Sequence, residues 1–336
     1  MIKLDNKKPD PRALHLRKKH IRKIESQPKN CLFPGCEHKA IGSHLLQKNG
    51  IMDLISDVHG KIVTQEMDTF TNQVHFVKKG YGKQITFPLL CKTHDLELFK
   101  EMENPNSLNP FNLRHQLLLS YRASLGELSK QRVFKEASIK FLNDKEIIRD
   151  YGISALERNK EYWDLCFEES SYYCESLGYQ LGFSSTPSTW QTKFIFAIKE
   201  IDFLPICCST IFSDIKGVAN CAGWRERTNR TVGDIPIYIP PSVLFHIIPG
   251  SNSTYVIYGY AESEGDRISW SKAEVENEKK DLWLRRINEI LLLSVESWYC
   301  SPDFYTTNIA PRKEMIESFI SERIFEKSFD IPFSLF

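Results

Sequence analysis

The 336 residues include 41% hydrophobic and 26% charged residues, a composition typical of a folded globular protein. The formal net charge is +1, so the overall charge favours no class of partner. The longest segment without Asp, Glu, Lys or Arg, residues 235–261, contains four prolines, which argues against a transmembrane helix and a membrane partner. The first residues are charged, so no secretory signal is predicted, and the nine cysteines are expected to be reduced thiols in a cytoplasm.

The N-terminal segment, residues 1–28, is predicted to be a basic arm. Residues 1–30 contain ten Lys or Arg and only three acidic residues. An arm of this charge can contact nucleic-acid phosphates, and Arg17, Lys18 and Lys19 are the candidate contacts. The alternative is an amphipathic start to the fold, whose charges simply face water.

Residues 29–104 are predicted to form a compact, loop-rich zinc module with little apolar core of its own. Two clusters, CLFPGC and CKTH, supply three thiolates and one imidazole, a ligand set that suits a closed tetrahedral zinc site. Gly35 permits the turn between the first two thiols, and a bound ion would provide much of the folding energy. The alternatives are buried residues with coincidental spacing, or His38 as a ligand in place of the second-cluster histidine. The predicted ligands are Cys31, Cys36, Cys91 and His94.

Short strands are predicted within this module at residues 58–63 and 74–77, on either side of a polar turn. A helical connector is predicted over residues 105–180. Asn109-Pro110 is expected to open its first helix, because Asn is a favoured N-cap and Pro a favoured first helical residue. That helix should continue to about residue 143, and a second helix is predicted over residues 154–177.

Residues 181–336 are predicted to form an α+β domain of unknown type. Runs of β-branched and aromatic residues bounded by turn residues predict an antiparallel sheet. The predicted strands are residues 193–198, 203–212, 236–241, 242–249 and 253–261. Ser271 and Glu274 form a capping-box pattern that predicts a helix start. Arg225 and Arg227, beside Trp224, are candidates for binding phosphate or stacking on a base, with a charged surface loop as the alternative.

The phrases CLFPGC, AIGSH and PLLCKTHDLELF resemble the treble-clef ββα-metal fold of the HNH nucleases, in a bacterial variant. The resemblance covers about residues 31–100. It implies that His44, on the hairpin, is the general base, and that Asp95 helps to hold a catalytic Mg or Mn ion. Three positions depart from the family pattern: Ser43 stands where many members have Asp, Thr86 stands where they have Asn, and Asp95 stands where the final His or Asn would be.

The expected fold is therefore α+β: a small treble-clef zinc module, a helical hairpin, and a mixed domain with an antiparallel sheet. The resemblance implies a metal-dependent nuclease that acts on nucleic acid, and it associates the chain with bacterial defence against phage. His44 suits a base role because imidazole titrates near neutral pH and can take a proton from water. The alternative is a non-catalytic zinc-stabilised module that binds nucleic acid or protein, with His44 as a structural histidine.

Overall fold

A seven-stranded antiparallel sheet organises the protein and takes strands from both ends of the sequence. The computed structural model describes residues 10–68, 73–82, 86–104, 107–183, 192–214, 231–232, 235–236, 241–323, 331 and 333–336. The strands are β1 (Gly42–His44), β2 (Lys61–Asp68), β3 (Gln73–Gly80), β4 (Thr86–Pro88), β5 (Phe194–Asp202), β6 (Ile206–Ser213), β7 (Thr231–Val232), β8 (Ile235–Pro236), β9 (Ser242–Pro249), β10 (Ser253–Ala261) and β11 (Tyr299–Cys300). The order in the large sheet is β3-β2-β11-β6-β9-β10-β5, and β1–β4 and β7–β8 form separate pairs.

Helices cover both faces of the large sheet. They are α1 (Pro11–Glu25), α2 (Asp53–Ile55), α3 (Lys92–Glu103), α4 (Leu113–Phe141), α5 (Lys145–Tyr151), α6 (Ile153–Gln180), α7 (Lys272–Asn277), α8 (Lys280–Leu293), α9 (Pro302–Phe304) and α10 (Lys313–Arg323). Short π-helical turns span Lys48–Met52 and Tyr305–Ile309, and short 3-10 turns span Glu262–Glu264 and Ala310–Arg312. No helix in these described ranges is long and apolar enough to span a membrane. The mixture of helices and antiparallel strands confirms the predicted α+β class.

Strand β9, which lies inside the large sheet between β6 and β10, shows why the protein has two apolar cores. All of its residues are buried, as expected for a strand covered on both faces. Leu244 and Ile248 belong to the core that contains α4 and the zinc module. Phe245 and Ile247, which point the opposite way, belong to the core that contains Trp283 of α8. The sheet therefore separates two layers of helices.

The sequence located β9 and β10 to the residue, but three predicted starts were wrong, and the first of them is that of β6, which begins at Ile206 rather than at residue 203. Helix α4 begins at Leu113, because the side chain of Asn112 caps it by accepting a hydrogen bond from the N–H of Arg114. Asn109 instead stabilises the preceding turn, where its Oδ1 accepts from the N–H of Phe111 at 2.9 Å. Strand β2 begins at residue 61, after a turn in which Gly60 has a φ of +63°. Of the predicted strand 236–241, residues 237–240 lie outside the described residues.

The hairpin β2–β3 ties the predicted zinc module into the sheet of the C-terminal region. Thr64 of β2 pairs with Tyr299 of β11. Gln65 is fully buried beside this pairing, donating to the carbonyl of Val295 at 3.2 Å and accepting from the indole of Trp298 at 2.9 Å. Hydrogen bonding is therefore continuous across the boundary predicted after residue 104. The predicted domain division stays a prediction about folding units.

His246 joins α4 to the sheet through a fully buried polar network. Its Nε2 lies 3.0 Å from the hydroxyl of Ser120, and its Nδ1 lies 3.0 Å from the hydroxyl of Ser209. Burial disfavours the charged imidazolium and lowers the pKa of His246 to about 3, from an ordinary value of 6.5. The ring is therefore neutral in the folded protein at neutral pH.

This network predicts a loss of stability in mild acid. Between pH 6.5 and about 3 the unfolded chain binds a proton at His246 that the folded chain does not bind. The contribution is therefore complete above pH 6.5, and it falls by up to about 1.4 kcal/mol per pH unit as the pH drops. Urea unfolding at pH 7 and pH 5 should show a larger decrease for the wild type than for His246→Asn. An NMR titration in which His246 takes up a proton near pH 6.5 would contradict the prediction.

Candidate metal centre

A tight turn brings the first two cysteines together. The N–H of Cys36 donates to the carbonyl of Phe33 at 3.1 Å, and the N–H of Phe33 points at the Sγ of Cys31 at 3.5 Å. Gly35 has a φ of +74°, in the left-handed region that favours glycine. A Cβ at this position would meet nothing within 4 Å, so the backbone conformation is what requires glycine there.

The second pair of ligands lies at the start of α3. Cys91 occupies the N-cap position in an extended conformation, and His94 follows in the first turn. The turn with the first two thiols is clamped against the residues just before α3. The N–H of Leu32 donates to the carbonyl of Leu89 at 2.8 Å, and the N–H of Ile41 donates to that of Leu90 at 2.7 Å. Main-chain hydrogen bonds thus bring together two segments that are far apart in the sequence.

The four predicted ligand atoms form a compact cluster, all within 4.8 Å of one another. His94 Nδ1 lies 3.5 Å from Cys31 Sγ and 3.4 Å from Cys91 Sγ, and Cys36 Sγ lies 3.9 Å from Cys91 Sγ. A tetrahedral zinc ion with ordinary bond lengths separates sulfur from nitrogen by about 3.6 Å and sulfur from sulfur by about 3.8 Å. These residues could therefore hold a zinc ion. His38 is exposed and lies outside the cluster, so the alternative prediction, with His38 as a ligand in place of His94, is wrong.

The surroundings of the cluster are those of a structural metal site. Cys31 and Cys91 are buried, and the ring of Phe33 stacks on that of His94 with centroids 4.0 Å apart. Burial raises the pKa of the Cys31 thiol to about 11, whereas donation from the backbone N–H of His94 lowers the pKa of Cys91. Zinc binding would displace the Cys31 proton. Four protein ligands would leave the ion no open position, which is the arrangement of a structural site.

His44 lies at the end of β1, and β1 pairs with β4 rather than with the next strand of the chain, so His44 is not on a hairpin as predicted. It pairs with Thr86 of β4. Its Nε2 lies 2.7 Å from the carbonyl oxygen of Gly82 and 3.1 Å from that of Tyr81. A carbonyl oxygen can only accept, so Nε2 carries a hydrogen, and in the neutral form of the ring the lone pair is on Nδ1. The half-buried ring is thus fixed in one tautomer, and Nδ1 makes no hydrogen bond within the described ranges.

Asp95, the other predicted catalytic residue, directly follows His94 on α3. Its Oδ1 is buried and has no hydrogen-bond partner among the described residues, and the same holds for the hydroxyl of Ser43. The described ranges contain a single cluster of three or more His, Cys, Asp or Glu ligand atoms, which is the zinc cluster. The structure therefore does not support the predicted Mg or Mn site.

The predicted phosphate contacts on α1 face different ways. The Arg17 guanidinium lies 4.9 Å from the ring centroid of Tyr151 and 5.0 Å from that of Phe141, and the ammonium of Lys18 pairs with Asp68 at 2.7 Å. Lys19 alone of the three is exposed.

Two further cations, Arg22 and Lys23, are exposed on the same side of α1. The sequence prediction missed them, although their spacing of three and four residues from Lys19 is a helical signal. Arg225 and Arg227 lie outside the described residues.

No protein-family model matches the chain, and neither a curated protein nor a solved structure matches it. The resemblance to the HNH nucleases is therefore carried by the motif residues alone. What stands beside it is the cluster of three thiols and one imidazole, which could bind zinc.

Proposed function

We propose that the protein is an HNH-like phosphodiesterase that acts on nucleic acid, with His44 as general base. The observation that supports this best is the fixed tautomer of His44, whose Nε2 is held by two backbone carbonyls. A general base needs a lone pair that is held in place, and in the neutral ring of His44 the lone pair is on Nδ1. A zinc ion on the four-ligand cluster would hold the turn at Cys31 against α3 and thereby stabilise the neighbouring β1–β4 pair.

In the proposed reaction, Nδ1 of His44 takes a proton from water as the water oxygen forms a bond to phosphorus. As this bond forms, the bond from phosphorus to the leaving sugar oxygen breaks, and that oxygen takes a proton from solvent water to become a hydroxyl, while His44 later returns its own proton to solvent. The carboxylate of Asp95, whose buried Oδ1 has no hydrogen-bond partner among the described residues, would provide one ligand to a Mg or Mn ion. Defence against phage is the biological setting that we propose, because the motif resemblance carries that association.

A second candidate is a zinc-stabilised module that binds nucleic acid or another protein without cutting a bond. Two observations favour it. Thr86 stands opposite His44 at the position where the HNH pattern has Asn. The described residues also provide no second cluster of metal ligands. In this alternative, the hydrogen bonds from His44 to the backbone of Tyr81 and Gly82 have a structural role and hold β1 against the segment that precedes β4.

Cleavage assays distinguish the two candidates. We expect the wild type to cleave plasmid or single-stranded DNA or RNA with Mg²⁺ or Mn²⁺, and His44→Ala to be slower by about 10²-fold or more. Zinc content should be the same in both proteins, because His44 is not one of the four ligands. His38→Ala is the matched control, since His38 is exposed and outside the cluster. A zinc-loaded wild type that binds but never cleaves would favour the second candidate.

A further inference from the structure

One side of α1 presents cations to solvent. Lys19, Arg22 and Lys23 are exposed, and none forms an ion pair with an acidic residue in the described part of the chain. His15, one turn before Lys19, is also exposed. Spacings of three, four, seven and eight residues place these side chains along one stripe of a helix. The basic stripe is defined here as His15, Lys19, Arg22 and Lys23.

The packing of α1 fixes the direction in which the basic stripe points. On the opposite side, Ile21 and Ile24 are buried with Val133, Ala137 and Phe141 of α4.

Other basic side chains of α1 are already neutralised. Arg12 pairs with Glu146 at 2.7 Å, and His20 lies 2.9 Å from Asp144. The only acidic residue of α1, Glu25, lowers the local charge near Arg22 but forms no ion pair with a described residue. The positive charge of the stripe therefore remains available to a partner.

We propose that the basic stripe binds the phosphate backbone of a nucleic-acid duplex. The rise of an α-helix places Lys19 and Lys23 about 6 Å apart along the axis. Phosphates two steps apart on one strand of a duplex are separated by about 6.8 Å along its axis. Consecutive turns of the stripe thus match the spacing of backbone phosphates, and contacts of this kind hold the duplex without reading its sequence.

Two other partners fit the stripe less well. Helices that bind membranes bury their own apolar face in the lipid, but the apolar face of α1 is covered by α4. Proteins that bind single strands stack bases on aromatic side chains, and α1 contains no Phe, Tyr or Trp. Lys and Arg without such aromatics favour a duplex.

The basic stripe lies close to the metal centre in the sequence. The chain passes from the end of α1 to Cys31 in a few residues, and Asn30 and Lys39 form a β-bridge beside the ligand turn. Lys39 is exposed there, with its ammonium 2.8 Å from Oδ1 of Asn30. The inference deepens the proposed function and rests on it only for the choice of a nucleic-acid partner.

The test is duplex binding by fluorescence anisotropy over a salt series, in a His44→Ala background that prevents cleavage. We expect Lys19→Gln/Arg22→Gln/Lys23→Gln to bind about 100-fold more weakly at about 0.1 M salt, with a log–log salt slope shallower by about 2.7. The matched control, Lys272→Gln/Lys279→Gln/Lys280→Gln, changes three exposed lysines at the start of α7 and α8 by the same total charge. It should bind as the parent does. Zinc content and melting temperature verify that each variant is folded.

Three results would overturn the inference: no duplex binding by the parent, equal binding by the α1 variant and the parent, or an equal loss in the control. Preferential binding of single strands, or of vesicles rich in anionic lipid, would also overturn it. DNA and RNA duplexes are compared as separate arms. Because binding is read without cleavage, a parent that binds through the stripe while the wild type never cleaves refutes only the nuclease. A wild type that cleaves while the stripe variant binds normally refutes only the stripe.

Discussion

Replacing Cys91 with serine is expected to abolish zinc binding and to destabilise the segments that the ion would join. Cys91 Sγ lies 3.4 Å from His94 Nδ1 and 3.9 Å from Cys36 Sγ, and it is within 4.8 Å of all three other ligand atoms. Structural zinc sites contribute about 10–16 kcal/mol in isolated zinc-finger peptides, and the loss of one thiolate forfeits much of that. We expect a fall of several kcal/mol in the free energy of local unfolding.

Elemental analysis should give one zinc per wild-type chain and none for Cys91→Ser. Hydrogen exchange should speed up most in residues 31–41 and in α3, the two segments that hold the ligands. Cys166→Ser is the matched control, because Cys166 is a half-buried thiol on α6 outside the cluster. A wild type that is purified without zinc and is as stable as Cys91→Ser would refute the metal centre.

Trp298→Ala is expected to have the other large effect, a loss of about 3–5 kcal/mol in the free energy of unfolding. Trp298 is fully buried and packs edge-on against Phe76 of β3, with ring centroids 5.8 Å apart. Its indole N–H donates to Oε1 of Gln65 on β2. The residue thus links the β2–β3 hairpin to the C-terminal core, and its removal leaves both a cavity and an unpaired amide oxygen.

Trp298→Phe separates these two contributions. It keeps most of the apolar contact but leaves Oε1 of Gln65 without its donor, at an expected cost of about 1–3 kcal/mol. Trp163→Phe is the matched control, because Trp163 is half-buried on α6 and stacks on Phe134. Urea unfolding measures all three variants. If Trp298→Phe cost no more than Trp163→Phe, the hydrogen bond to Gln65 would have no role in joining the hairpin to the core.

Features set by neighbours in the sequence could be predicted. Strands β9 and β10 follow from β-branched and aromatic runs between turn residues. The capping box at Ser271 forms as expected, with both of its reciprocal hydrogen bonds to Glu274. The two ligand pairs also follow from local spacing, because one pair is brought together by a turn and the other by a helix start.

Features that depend on distant packing could not be predicted. The sequence predicts the two strands of the β2–β3 hairpin but not the pairing of β2 with β11. Local periodicity identifies a strand, but it does not show which distant strand will pair with it. Arg17 and Lys18 looked equivalent to Lys19 in the sequence. Contacts with residues of other elements, Tyr151 and Asp68 among them, hold those two side chains against the protein. The tautomer of His44 likewise depends on carbonyl oxygens contributed by a different part of the chain.

The pairing of β2 with β11 also sets the order in which a newly synthesised chain can complete its structure. All four metal ligands have been made once residue 94 is reached. Trp298, whose indole donates to Gln65, lies 233 residues after Gln65 in the chain. At ordinary translation rates that interval lasts on the order of ten seconds to a minute. During it, one edge of β2 lacks its partner strand and is open to pairing with another nascent chain. We therefore expect a chain of this topology to need chaperones during its translation, even after its metal site has formed.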